Sequence, residues 1–409
     1  MDTPSFIEDH ISQIPALKLL MNLGWKYLTP DQALEARTNR TSNVLLEGIL
    51  KEQLQKINKI EYRQKEFPFS ETNINNAILA LRDLPIQDGF LAANKFYYEL
   101  ITLGKSFEQT VLGDKKSFSF KYIDWANPEN NVYHVTEEFS VLRHERNDHY
   151  RPDIILFVNG IPMVVIECKS PKIKNPVDKA IEQHLRNQQE DGIRSLYYYS
   201  NLTLALATNE ARYGTTGTPK EFWSVWKEVF KKKEELVEWE DHISEIKHKS
   251  LEDNERTALF KERFKYVWNY FEKLEANEQT ITQQDKLLFS FCQPSRLLDI
   301  LFNFTLYDEG IKKVARYQQY FAVRNTLKKI VKTDVKGRHE GGVVWHTQGS
   351  GKSLTMAMLA QLIASHPEIK NPKILLVTDR IDLDDQITET FKKCNVPVDN
   401  AQTGKHLVE

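Results

Sequence analysis

Two carboxylates and a lysine stand at the ends of an apolar stretch running from Arg151 to Lys169. Asp153 opens one apolar run, and Glu167 and Lys169 close the next. Between the runs lies Asn159-Gly160, the strongest short signal for a two-residue hairpin turn. Folded at that turn, the two strands bring their polar ends together. Mg²⁺ takes few protein oxygens because it keeps several of its own waters. Asp153 and Glu167 supply two metal ligands, and the carbonyl of Cys168 a third. Lys169 lies two residues from Glu167, so in a strand both side chains point to one face. There the ammonium orients an attacking water or stabilises a pentavalent phosphate. The chemistry is metal-assisted hydrolysis, in which the ion acidifies water and neutralises phosphoryl charge.

A second constellation, His346-Thr-Gln-Gly-Ser-Gly-Lys-Ser353, is built for a phosphate chain. Gly349 and Gly351 let the backbone come close, and the amides of Thr347, Gln348, Gly349, Ser350 and Gly351 can point at an anion. Lys352 reaches the β- and γ-phosphates of ATP, and Ser353 ligates their Mg²⁺. His346 holds the place of the first glycine of the strict pattern; the last five residues fit its looser form. Upstream, Gln319 lies in Arg316–Val323, which by itself reads as an amphipathic helix with polar positions. Downstream, Val377-Thr-Asp-Arg380 ends an apolar run.

These residues need positioning elements. Asn175-Pro176 predicts a helix with Val177, Ala180, Ile181, His184, Leu185 and Gln188 on one face, and Ser195–Thr208 predicts a central strand. Thr3-Pro4 marks a helix start, carried on with Pro15 as an interruption to a stop at Gly24. Trp25–Leu28 reads as a short strand, and residues 42–57, 70–84 and 91–103 as helices. β-prone segments fill 105–141. Gly342–Trp345, the helix Leu354–Ser365 and Ile374–Thr378 read as a β-α-β unit. One parity problem arises at the first site. A strict two-residue turn pairs Val158 with Ile161 and hence Asp153 with Ile166, turning Asp153 away from Glu167. A shared metal therefore predicts a longer turn or a bulge near Pro162 that shifts the register by one.

The chain has 409 residues, enough for two or three cores. A net charge of −2 excludes a global polycation, so any nucleic-acid surface is local. The cysteines (Cys168, Cys292, Cys394) have neither metal spacing nor the number for a disulfide framework, which predicts a reducing, cytoplasmic setting. No apolar run approaches the roughly 20 residues of a membrane span. The mixed-sign run around Lys231–Glu235 reads as a solvated helix face.

Asp153, the thirteen residues that follow, then Glu167-x-Lys169, on a hairpin followed by a helix, resembles the PD-(D/E)xK nuclease superfamily. By that resemblance Glu8 matches the extra helical acid of many such nucleases, and Gln183 the glutamine of the RecB-like Gln-x-x-x-Tyr motif, where Asn187 replaces the tyrosine. Gln319 resembles the Q-motif of superfamily 2 helicases, and Val377–Arg380 their motif Ia. The two sites in this order, with Ile123–Asn131, Phe157–Pro162, Ala207–Gly214 and Trp345–Ser353, resemble the restriction (R) subunit of type I restriction-modification enzymes. The resemblance implies an α/β endonuclease domain over 1–240, a charged helical connector over 241–310 and the first part of a RecA-like motor over 311–409, ending after motif Ia. It also implies Mg²⁺, ATP, double-stranded DNA as substrate, and methyltransferase and specificity subunits as partners. A nuclease–helicase of another repair or phage-defence system, and a non-catalytic nucleotide-binding assembly module, stay open as alternatives.

Overall fold

The computed structural model describes residues 12–260, 264–268, 271–272, 280–347 and 349–401. The chain forms two compact units, Met1–Phe302 and Asn303–Glu409, where the sequence suggests three stretches bounded at 240 and 310. Among the described residues no helix is long and apolar enough to cross a membrane.

The first unit is built on a six-stranded sheet whose strands lie in chain order: β1 Lys26–Tyr27, β2 Tyr133–Glu137, β3 Ile154–Val158, β4 Ile161–Cys168, β5 Leu202–Ala207 and β6 Glu210–Gly214. β1 runs parallel to β2 and β4 parallel to β5; the other neighbours are antiparallel. A parallel pair needs a crossover, and α2, Pro176–Asn187, supplies it. Its Val177, Ala180 and Ile181 pack with Ala205, Ala207 and Trp223. Every residue of β3 and β4 is buried. Their unbroken apolar runs are what a strand covered on both faces requires.

The expected helix start at Thr3-Pro4 lies outside the described residues; α1, Ile14–Asn22, carries Pro15 in its first turn, directly after a π-helical turn at Ser12 and Gln13. It packs on the helix Gln283–Cys292, where Ser12 Oγ donates to Gln284 Oε1 (2.7 Å) and Gln284 Nε2 returns a bond to the Ser12 carbonyl (2.9 Å). The segment 42–57 becomes helical only from Glu47, since the Leu46 amide is committed to the Gly160 carbonyl (2.9 Å). The run Ser195–Thr208 is a strand only from Leu202; Arg194–Tyr197 is a helical turn. There the carbonyls of Tyr197, Tyr198 and Ser200 accept from the Asn94 side chain at 2.9–3.3 Å and do not enter a ladder. The charged helix Lys233–His248 buries only Ile243, the solvated face its mixed charges suggest.

The turn of the central hairpin is fastened from outside the sheet. Asn159 (φ 53°) and Gly160 (φ 82°) both take positive φ, as the favoured two-residue turn demands. Asn159 Oδ1 accepts from the Val132 amide (2.9 Å), and its Nδ2 donates to the Tyr122 carbonyl (3.0 Å) and Asn131 Oδ1 (2.8 Å). Asn131 in turn receives the Asp124 amide (2.9 Å). A Cβ on Gly160 would lie 2.7 Å from the Leu46 carbonyl oxygen, so only glycine fits. The stretches 123–131 and 157–160 are thus one buried polar clamp. Asn159→Ala orphans the Val132 amide and the Tyr122 carbonyl and should cost about 3 kcal/mol in urea unfolding; a loss under about 0.5 kcal/mol would remove the clamp from this account.

Among the described residues the second unit holds a hairpin, Thr305–Asp308 with Ile311–Val314, and three helices: α3 Tyr317–Val331, α4 Lys352–Ser365 and α5 Ile381–Lys393. The expected strands at Gly342–Trp345 and Ile374–Thr378 do not form, so the β-α-β expectation fails within the described residues. Val343 and Trp345 are each 90% exposed and Val377 83%. A buried parallel pair holds only between further strands and covering layers, and the described residues supply neither.

Candidate active site and phosphate loop

β3 and β4 resolve the parity problem. The turn is a strict two-residue one, pairing Val158 with Ile161 and Phe157 with Pro162. The register then slips, so that Val164 faces Leu156 and Ile166 faces Ile154. Met163 is the extra residue of a bulge, next to the proline that cannot donate to the ladder. One residue further, Asp153 comes opposite Glu167. The Cys168 amide donates to Asp153 Oδ2 at 2.6 Å, and Lys169 Nζ lies 3.6 Å from the same oxygen. Lys169 Nζ also donates to the Cys168 carbonyl (2.8 Å). Asp153, Glu167, Lys169 and the Cys168 carbonyl therefore share one end of the hairpin.

Glu167 is fully buried. Burial first, and the neighbouring Asp153 carboxylate second, hold its carboxyl well above the usual range, with Lys169 and Arg186 acting in the opposite direction. Its Oε1 accepts from Asn187 Nδ2 at 3.3 Å, while its Oε2 has no hydrogen-bond partner among the described residues. A buried orphan carboxylate oxygen is costly. An unpartnered Oε2, the opposed Asp153 and a carbonyl beside them form an oxygen donor set that fits a hard divalent cation. Among the described residues no third His, Cys, Asp or Glu joins them.

The helix α2 contributes differently from the motif expectation. Asn187, at the tyrosine position, is the residue that bonds Glu167. Gln183, one turn earlier, is half-buried, and its side chain makes no hydrogen bond among the described residues. His184, buried beside it, bridges the Tyr197 hydroxyl (2.9 Å) and the Leu204 carbonyl (3.0 Å), and burial pushes it down to about 4, so it is a neutral structural imidazole. Glu8 lies outside the described residues. No local motif marks Gln13, whose Nε2 donates to the Asp153 carbonyl (3.2 Å) and ties the start of α1 to the site.

In the second unit, the loop after Thr347 turns through Gly349 (φ 75°) and Gly351 (φ 82°) into α4. Lys352 Nζ points back over the loop, donating to the His346 (3.3 Å) and Thr347 (3.4 Å) carbonyls. Ser350 Oγ donates to the Thr347 carbonyl (2.7 Å), and Ser353 sits in the first turn of the helix. Gln348 lies outside the described residues. Gln319 is brought to the same place: its Oε1 accepts from the Arg316 amide (2.9 Å), and its Nε2 donates to the Gly351 carbonyl (3.2 Å). A Cβ on Gly351 would come within 2.6 Å of that amide nitrogen. The stretch Val377–Arg380 leads into α5, with Arg380 as its N-terminal boundary residue and Thr378 Oγ1 donating to Asp384 (3.3 Å).

Comparison with known proteins agrees with both halves. The profile of the type I restriction enzyme R protein N terminus matches residues 5–222, and that of the SWI2/SNF2 ATPase matches residues 318–409. A chain named for the MjaIXP type I restriction enzyme endonuclease subunit of Methanocaldococcus jannaschii is 26% identical over 98% of this chain and 36% of its own length. The type I restriction enzyme HindI endonuclease subunit of Haemophilus influenzae is 29% identical over 94% of this chain and 32% of its own. The chain thus spans about a third of the length of these relatives.

Proposed function

We propose that this chain, which belongs to the type I restriction enzyme R protein N-terminal family, carries a PD-(D/E)xK-type site that hydrolyses DNA phosphodiester bonds. The observation that carries the reading is the bulge at Met163, which sets Asp153 opposite Glu167 beside Lys169. Asp153 and Glu167 would hold Mg²⁺, which when bound supplies charge neutralisation at the phosphoryl oxygens and a more acidic water. Asn187 fixes one oxygen of Glu167 and leaves the other without a hydrogen-bond partner among the described residues, the oxygen that would ligate the ion. Lys169, half-buried and tethered to the Cys168 carbonyl, faces the reacting phosphate. It orients the incoming water and stabilises charge as the new P–O bond forms and the bond to the leaving oxygen breaks.

The second unit supports an ATP site in which Lys352 meets the β- and γ-phosphates, Ser353 the accompanying Mg²⁺, and Gln319 both the loop and the adenine. In the full-length subunit, assembled with methyltransferase and specificity subunits, that site belongs to a motor that moves double-stranded DNA past the nuclease. Lys169→Ala should lower Mg²⁺-dependent cleavage by the assembled enzyme about a hundredfold or more while ATP hydrolysis stays within about twofold. Cleavage at the wild-type rate would remove the nuclease assignment.

A further inference from the structure

Outside the metal-binding end of the hairpin, one cation stands apart. Arg186 is exposed on α2, and no carboxylate forms an ion pair with it among the described residues. Three neighbouring acids are already engaged, while the buried Glu167 lies within electrostatic reach of Arg186. Asp191 and Asp148 hold Arg143 at 2.7 and 2.8 Å, and Glu182 is held by Lys179 (2.7 Å) and Lys220 (2.9 Å). Arg186 is nevertheless fixed. Its guanidinium carbon lies 4.7 Å from the centre of the Tyr150 ring, which also carries Arg143 at 4.3 Å. Its Nη2 donates to Asn187 Oδ1 (3.3 Å), and Asn187 Nδ2 donates to Glu167 Oε1 (3.3 Å). Two hydrogen bonds thus connect an exposed guanidinium to the buried carboxylate.

A guanidinium held against an aromatic face, with donors to spare and no counter-ion, is pre-organised for a phosphate. We infer that Arg186 is a DNA-backbone contact that receives a phosphate flanking the scissile one, with Tyr150 and Asn187 as its positioning residues. This rests on the nuclease reading of Glu167 and Asp153. Arg143, neutralised by Asp148 and Asp191, supports the Tyr150 ring and does not contribute a free charge.

The test is binding of a short DNA duplex by the 409-residue chain in Ca²⁺, followed by fluorescence anisotropy across a salt series. Removing one phosphate contact lowers the slope of log affinity against log salt by about 0.9. Arg186→Ala should show that change and about tenfold weaker binding at low salt. Arg186→Lys should keep the slope and recover part of the affinity, and Lys95→Ala, at a lysine already paired with Glu99, should match wild type. An Arg186→Ala slope and affinity equal to wild type, or no duplex binding by the wild-type chain, would overturn the inference. The nuclease reading is judged separately, by loss of cleavage in Lys169→Ala. Unaltered duplex binding in Arg186→Ala alongside that loss sinks the phosphate contact alone.

Discussion

Glu167→Gln is expected to make the metal-free protein more stable while removing cleavage. The wild-type carboxyl is buried with one oxygen unpartnered and Asp153 alongside, so the folded state holds its proton to higher pH than the unfolded chain does. Between the ordinary glutamate value, about 4.3, and the raised folded value, the native state binds more protons. Stability therefore falls as pH rises through that interval and stays low above it. Glutamine keeps the shape and cannot ionise, so at about pH 8 in a chelator the variant should melt higher, by about 1–3 kcal/mol of stability. Mg²⁺ reverses the order. It binds the native wild type and raises its melting temperature, and does little for the glutamine variant. Cleavage should fall about a thousandfold or more, the several kcal/mol that a metal contributes to the reaction. Paired melts in chelator and in Mg²⁺ decide the matter: a variant less stable than wild type in chelator means that Glu167 has a stabilising partner other than the ion.

Much of the first unit is legible because its signals are local. The Asn159-Gly160 turn, the apolar runs beside it and the helix after Asn175-Pro176 each rest on a few adjacent residues, and each is found. The bulge follows from a count of residues alone. Gln13 and the Asn159 clamp are not legible, since each depends on partners brought from far along the chain, Asp153 for one and Tyr122, Asn131 and Val132 for the other. Asn187 is intermediate: its position in a motif marks it, but only the geometry shows that an amide takes the tyrosine's place against Glu167. In the second unit the local signal survives and the tertiary one does not. The glycines, Lys352 and the helix behind them are as expected, and Gln319 arrives at Gly351. The two flanking apolar segments have strand composition without strand neighbours, and β-structure exists only as pairing.

The parity of the hairpin gives a sharper test than any side-chain truncation. A strict two-residue turn with an unbroken ladder opposes Asp153 and Glu167 only if twelve residues separate them, five on each strand and two in the turn. Thirteen do, and Met163 absorbs the odd one. Deleting Met163 leaves twelve, so an unbroken ladder still sets Asp153 opposite Glu167. The loss is then local: the thioether contacts with the Tyr97 hydroxyl (3.3 Å) and Asn201 Nδ2 (3.1 Å), and the bond from the Asn201 amide to the Met163 carbonyl (2.8 Å). About 3 kcal/mol of stability should go, with the Mg²⁺-dependent rise in melting temperature retained. Inserting one alanine between Met163 and Val164 leaves fourteen. The existing bulge absorbs one residue, and the remaining odd step turns either Asp153 or the core side chains of β4 to the wrong face. That variant should lose both the Mg²⁺ response and cleavage, whether or not it keeps native-like secondary structure by circular dichroism. A folded insertion variant that still answers to Mg²⁺, or a folded deletion variant that does not, would show that register is not what brings the two carboxylates together.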